Sequence, residues 1–281
     1  MVFVDGLGLG EPDAGRNPVL SGACPLLQKL LSEHVIPVDA CLGVQGLPQS
    51  ATGQATLLTG RNAAEFMGRH IEGLPGPKLK ELVRESNIFS RLSQRGYSST
   101  FANAYFIDDV EDVKSRRRQS VTTVAALEAF GEVRHTEHLV ENKAVYQDLT
   151  REHLLDRGYD GPTVTPRAAA EHLVAIAEDH DFTLFEYFQT DLAAHRGDEQ
   201  TVRRILSNLD QFLGGLVGFA DAPDHLFLLT SDHGNIEDAT TRTHTPNPVP
   251  FVALGAGVDH MRERMKTLQD FVPALLELYP A

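Results

Sequence analysis

His225-Leu226-Phe227-Leu228-Leu229-Thr230-Ser231-Asp232-His233-Gly234-Asn235 is the stretch on which the fold turns. An apolar run of strand composition stops abruptly on an acid, an imidazole and a glycine. The glycine lets the backbone leave strand geometry, which places both polar side chains in a loop at the strand end. The first residues follow the same plan, with Val2-Phe3-Val4 running into Asp5-Gly6-Leu7-Gly8. In open α/β sheets ligands collect beyond the carboxyl ends of strands, where Asp5, Asp232 and His233 would then stand. Alone, Asp5 reads equally well as a turn aspartate. An adjacent Asp and His beside a glycine suit a metal better than a turn.

Similar β-rich runs occupy residues 34–38, 97–102, 183–188 and 251–254, besides 2–4 and 225–230. Helical stretches lie between them at 25–33, 51–58, 79–95, 166–178 and 199–219. This alternation predicts an α/β fold, a mostly parallel sheet with helices on both faces. Between residues 103 and 160 the apolar periodicity weakens, Asp108 to Asp112 being acidic and Lys114 to Arg118 basic. The expectation is a catalytic core of residues 1–102 and 161–281 with a small inserted cap at 103–160. No repeat of fixed period and no low-complexity tract interrupts it.

Three further segments carry candidate chemistry. Ser50 in Pro48-Gln49-Ser50-Ala51-Thr52-Gly53 sits at or near a helix N-cap, where a helix N-terminus would stabilise an anion formed on its oxygen. A plain capping serine has the same appearance. Asp191 and His195 are one helical turn apart, so both can reach one cation, as can the partners of a surface ion pair. His244 opens the proline-rich loop His244-Thr245-Pro246-Asn247-Pro248, whose stiffness suits a ligand. Together Asp5, Ser50, Asp191, His195, Asp232, His233 and His244 offer what a pair of divalent cations needs, with a hydroxyl as nucleophile.

These residues share an order with a known group. The chain resembles the alkaline phosphatase superfamily, and within it the cofactor-independent phosphoglycerate mutase and phosphopentomutase branch. D-G-x-G is matched by Asp5 to Gly8, and S-x-x-G-x-x-x-I/L-x-x-G-R by Ser50, Gly53, Leu57, Gly60 and Arg61. D-x-x-x-H is matched by Asp191 and His195, D-H-G-N by Asp232 to Asn235, and H-T-x-x-P-V-P-F by His244 to Phe251. Pro25 and its leucines resemble the T-P-x-L helix start, with Cys24 in place of threonine. The resemblance implies an alkaline-phosphatase-like core in which Asp191, His195 and His244 hold one cation. Asp5, Asp232, His233 and the Ser50 oxygen hold the other, and Ser50 forms a phosphoserine.

Two departures leave the substrate open: Gln54 stands where the mutases have His, and the insert is much smaller than theirs. Arg116-Arg117-Arg118 either clamps a phosphate or carboxylate, or forms a solvated basic helix face balancing the acidic run. The reading is a two-metal phosphomonoester hydrolase or phosphotransferase, with hydrolysis favoured because a small cap retains product poorly. A phosphomutase, a phosphodiesterase and a catalytically silent metal-binding protein remain alternatives. A sulfatase is disfavoured, because Ser50 lacks the following C/S-x-P-x-R pattern.

The bulk properties agree. With 25 Lys+Arg against 39 Asp+Glu the 281-residue chain carries −14, which disfavours nucleic acid and anionic membranes but not a small phosphate ester held by cations. The ligand set lacks thiolates and suits Mn²⁺ or Zn²⁺. Cys24 and Cys41, without CxxC spacing, are expected to be reduced and structural. Charge arrives too early for a signal peptide and no run spans a bilayer, so a cytoplasmic location is expected. The first strand is so short that a few residues are expected to precede Met1. Nothing in the pattern announces an oligomer.

Overall fold

A computed structural model describes residues 1–281, in which six strands form one sheet. They are β1 (Val2–Val4), β2 (Val35–Val38), β3 (Ser99–Phe101), β4 (Phe182–Tyr187), β5 (Leu226–Thr230) and β6 (Val249–Gly255). Each corresponds to one of the β-rich runs of the sequence. Their order across the sheet is β2-β6-β5-β1-β4-β3. β1 pairs in parallel with β4 and β5, and β3 with β4; only β6 runs against its neighbours β2 and β5. The ends of β1, β4 and β5 therefore lie side by side at one edge, with Val4 opposite Tyr187 and Phe3 opposite Thr230.

Helices cover both faces. The first are α1 (Pro25–Glu33), α2 (Ser50–Thr59), α3 (Ala63–Met67), α4 (Pro77–Glu85) and α5 (Ile88–Gln94). Next come α6 (Glu111–Lys114), α7 (Val121–Phe130), α8 (Thr136–Val140) and α9 (Glu152–Leu155). The chain closes with α10 (Pro166–Glu178), α11 (Gln189–Arg196), α12 (Glu199–Gly214), α13 (Val258–Arg264) and α14 (Phe271–Glu277). Strand side chains alternate between two cores. Phe3, Leu184 and Leu228 pack with α2, α4, α5, α7 and α14, whereas Val2, Val4, Phe185 and Leu229 pack with α1, α10 and α12. A strand buried on both faces reads as a near-continuous apolar run, which is why β4 and β5 stood out in the sequence. No helix is long and apolar enough to cross a membrane.

Two expectations are corrected. The helix expected at 79–95 is two, because the Asn87 side chain accepts from the N–H of Phe89 and Ser90 and starts a new helix. The helix expected at 199–219 ends at Gly214-Gly215, a pair costly in a helix, and a short 3-10 turn (Val217–Asp221) follows. The residues between 103 and 160 join more than one core. Val121, Val124, Ala125 and Ala126 of α7 belong to a main core, whereas Ala104, Leu139, Tyr146, Leu154 and Tyr159 form a small cluster of their own.

Candidate metal centre

Asp5 ends β1, Asp191 and His195 stand on α11 behind β4, and Asp232 and His233 follow β5. His244 comes from the loop before β6, and Ser50 opens α2. Ser50 is the first helical residue rather than the cap, which is Gln49. Close approach demands two glycines. A Cβ on Gly53 would sit 2.7 Å from the Asp232 carbonyl, and one on Gly6, at φ +72, 2.9 Å from Asp191 Cβ. These glycines let α2 and the first loop press against the acids.

All seven side chains meet. His195 Nε2 lies 3.1 Å from His244 Nε2 and 3.4 Å from Asp191 Oδ1, and His244 Nε2 lies 3.5 Å from that same oxygen. His195 Nδ1 lies 2.8 Å from the Arg242 carbonyl and His244 Nδ1 2.9 Å from the Pro48 carbonyl. A carbonyl can only accept, so each ring carries a hydrogen on Nδ1 and turns its Nε2 inward. Lone pairs aimed at one another repel unless a proton or a cation stands among them. His233 Nε2 is 3.0 Å from Ser50 Oγ, 3.2 Å from Asp5 Oδ1 and 3.6 Å from Asp232 Oδ2, and its ring stacks on His244 at 3.7 Å. Asp5 Oδ1 accepts no well-aligned hydrogen bond although it is buried.

The energetics follow from that crowding. Burial, then the Asp232 charge, holds the Asp5 carboxyl well above the usual carboxylate range, and burial likewise raises Asp232. Burial alone would lower His233, but the Asp232 and Asp5 carboxylates outweigh it and lift the imidazolium to about 10. Burial and then the His233 charge push His244 down to about 4. Without cations, protons must occupy these sites; divalent ions would replace them, since both seek the same lone pairs. Chemically, the donor set fits two such ions. Ligand atoms of Asp191, His233 and His244 lie within 4.8 Å of one another, as do those of Asp5, Asp232 and His233.

Other side chains hold the cluster in place. Gln54 Nε2 donates to Asp5 Oδ2 at 3.2 Å and to Asp232 Oδ2 at 3.3 Å, and Asn235 Nδ2 donates to Asp191 Oδ1 at 2.7 Å. Glu237, which the sequence reading passed over, ties three loops together. It accepts from the Gly8 N–H at 2.9 Å, the Asn235 N–H at 2.7 Å, Asn247 Nδ2 at 3.0 Å and the Thr245 hydroxyl. Its signal was an acid two residues after Asn235 in a loop already singled out. Glu186 was missed as well, although it is the one charge in the buried strand Phe182–Tyr187. A lone acid within an apolar run is such a signal.

A cavity of about 550 Å³ opens beside the cluster. Asp5, Ser50, Asp191 and Glu186 line it, as do Arg116, Arg118 and Arg157. Arg117 does not line it, and its carbonyl accepts from Lys80 Nζ at 3.0 Å. Residues 116–118 follow α6 as irregular loop, so they are not a basic helix face. Cys24 and Cys41 are both free.

The phosphoglycerate mutase of Desulforudis audaxviator is 31% identical over 123 residues, 42% of this chain and 24% of its own length. That of Cereibacter sphaeroides is 34% identical over 125 residues, again 42% and 24%. The chain thus spans about a quarter of the length of these relatives. Among solved structures, the fold is similar to that of the PH0037 protein of Pyrococcus horikoshii, with TM-score 0.62, 14% identity and 99% and 95% of the two chains covered. It is also similar to that of Thermus thermophilus alkaline phosphatase, with TM-score 0.61, 11% identity and coverage of 98% and 90%. The family model of the Metalloenzyme superfamily matches residues 1–278, and the chain belongs to that family.

Proposed function

We propose that the chain is a two-metal phosphomonoester hydrolase working through phospho-Ser50 on a small phosphate ester. The observation that carries this reading is the place of Ser50 Oγ, 3.0 Å from His233 Nε2 and on the wall of an arginine-faced cavity. Asp191, His195 and His244 would hold one cation, and Asp5, Asp232, His233 and the Ser50 oxygen the other, with Mn²⁺ or Zn²⁺ matching the Asp/His set. Bound there, such ions would ease loss of the Ser50 proton and offset charge on the transferring phosphoryl group.

The chain's own residues supply the rest. The N-terminus of α2 points its free N–H groups and partial positive charge at whatever Ser50 carries. Gln54 and Asn235 keep the acids from turning away, and Glu237 ties their loops together. Arg116 and Arg118, whose guanidinium groups have no partner within the chain, face the remainder of the ester. Release of nitrophenol from p-nitrophenyl phosphate with added Mn²⁺ or Zn²⁺ tests this, together with phosphate found on Ser50 by mass spectrometry. Equal rates in wild type and Ser50→Ala would end it. A mutase is the second reading, favoured by the relatives' names and by arginines that could retain a product. Movement of phosphate between positions of one substrate, without free phosphate, would establish it.

A further inference from the structure

Glu186 shares the cavity wall with Ser50 and is firmly held. Its N–H donates to Asn103 Oδ1 at 2.8 Å and its carbonyl accepts from Asn103 Nδ2 at 2.7 Å. Its Oε2 accepts from the Thr122 hydroxyl at 2.6 Å. Ser120 Oγ lies 2.9 Å from Thr122 Oγ1 and 2.7 Å from Thr123 Oγ1, and Thr123 Oγ1 lies 2.5 Å from the Tyr105 hydroxyl. A carboxyl and four hydroxyls form one unbroken chain.

The donor sense of this chain follows the state of Glu186. When the carboxyl is ionised, the single Thr122 proton is given to it, so Thr122 accepts from Ser120, Ser120 from Thr123 and Thr123 from Tyr105. With the chain in that sense, Oε2 is already engaged and a proton arriving on Glu186 goes to Oε1, an oxygen with no partner in the protein, on a side chain that lines the cavity. None of its hydrogen bonds goes to the metal-binding set.

We propose that Glu186 is the acid–base residue of the site, its Oε1 giving a proton to the leaving oxygen of the ester and recovering one from the attacking water. The proposal rests on the phosphoserine reading above. In the first half, the Ser50 oxyanion bonds to phosphorus, the P–O bond to the leaving group breaks, and that oxygen takes the Glu186 proton. In the second half, water bonds to phosphorus as its proton passes to Glu186, and the P–O bond to Ser50 breaks to restore the oxyanion. The sum is ester plus water to alcohol plus phosphate, with Glu186 unchanged.

The setting suits both halves. Burial, partly offset by the Thr122 bond and reinforced by the Asp232 charge, pushes the Glu186 carboxyl up to about 7, where a group can donate and accept at neutral pH. The other charges around the same cavity are Asp5, Asp191, Arg116, Arg118 and Arg157.

Two leaving groups separate an acid from a prop. Nitrophenolate departs without a proton, whereas the alkoxide of glycerol phosphate needs one. In the metal-loaded protein, Glu186→Gln should lower kcat/KM for glycerol phosphate by about 10²–10⁴-fold. With p-nitrophenyl phosphate it should still release a first burst of nitrophenol, then stall with phosphorylated Ser50 accumulating by intact-protein mass. Equal losses in the burst and with glycerol phosphate, or no loss in either, would overturn the proposal. Should Glu186→Gln fail to fold, Thr122→Val serves. It removes a bond that favours the ionised carboxylate, so the basic limb of the glycerol phosphate pH profile should move to higher pH; an unmoved limb refutes the assignment. A wild-type protein that never forms phospho-Ser50 sinks the earlier reading. One that forms it, beside a Glu186→Gln protein behaving identically, sinks this one alone.

Discussion

The cavity lining is built in two opposite ways. On the sheet side Asp232 and His233 are 0% exposed, and each acid or imidazole has a second partner that sets its orientation. On the insert side Arg116, Arg118 and Arg157 are all exposed, and only Arg157 is anchored, by Tyr146 Oη at 3.0 Å and the Phe106 ring at 5.2 Å. A reacting group must be held to a fraction of an ångström, and burial with satisfied hydrogen bonds does that. Long exposed cations adapt to whatever anion arrives, at low cost in stability. On the proposed reading, chemistry belongs to the sheet edge and selection to the arginines.

The largest effect should come from Ser50→Ala. Turnover of p-nitrophenyl phosphate should fall by about 10⁴-fold or more, since the nucleophile and its covalent intermediate both disappear. A fall of less than tenfold would break the contrast at its stronger side.

Next is Glu186, through stability rather than rate. The native carboxyl keeps its proton up to about 7, whereas an unfolded one releases it near 4.5. Its contribution is therefore complete below the lower value and lost as pH rises through the upper. Relative to wild type, metal-free Glu186→Gln should gain roughly 3 kcal/mol between acidic and alkaline pH, at about 1.4 kcal/mol per unit. Urea melts of both proteins at pH 4.5 and 8 measure this, and a constant difference would argue against a buried acid.

Glu237→Gln should weaken metal binding by about 10–100-fold, because its carboxylate orders the loops of Asp5, Asp232 and His244 without touching an ion. Calorimetric titration with Mn²⁺ reports it directly. The smallest change belongs to the arginines. Arg116→Ala and Arg118→Ala should raise KM about tenfold with kcat nearly unchanged and stability within about 0.5 kcal/mol. Arg117→Ala, outside the cavity, should do neither. A large drop in kcat from either cavity arginine would move chemistry onto the insert and blur the comparison.

Much of this was legible in the residues. All six strands coincide with β-rich runs, and β1, β4 and β5 stood out most because strands buried on both faces leave little room for polar side chains. The seven clustered residues were legible because Asp and His beside strand-ending glycines, and a serine opening a helix, are rarely assembled together for structure alone. Asn87 as a helix start was there to be read, but apolar periodicity on either side hid it. Glu237, Glu186 and the hydroxyl chain to Tyr105 were not legible, since their meaning lies in partners far away in sequence.

Alone, the sequence picked out which groups would meet: three acids, three imidazoles and a hydroxyl, near the ends of elements whose type their neighbours dictate. Local chemistry suffices there, because a strand must end where glycine and charge replace apolar residues. Only the tertiary structure decided which arginines share a cavity with Ser50, that α7 serves a main core, and that Glu186 lines that cavity while one of its oxygens holds Thr122. Those facts depend on packing across the sheet and on one-proton hydroxyls finding partners, and neither is written in any local stretch of chain.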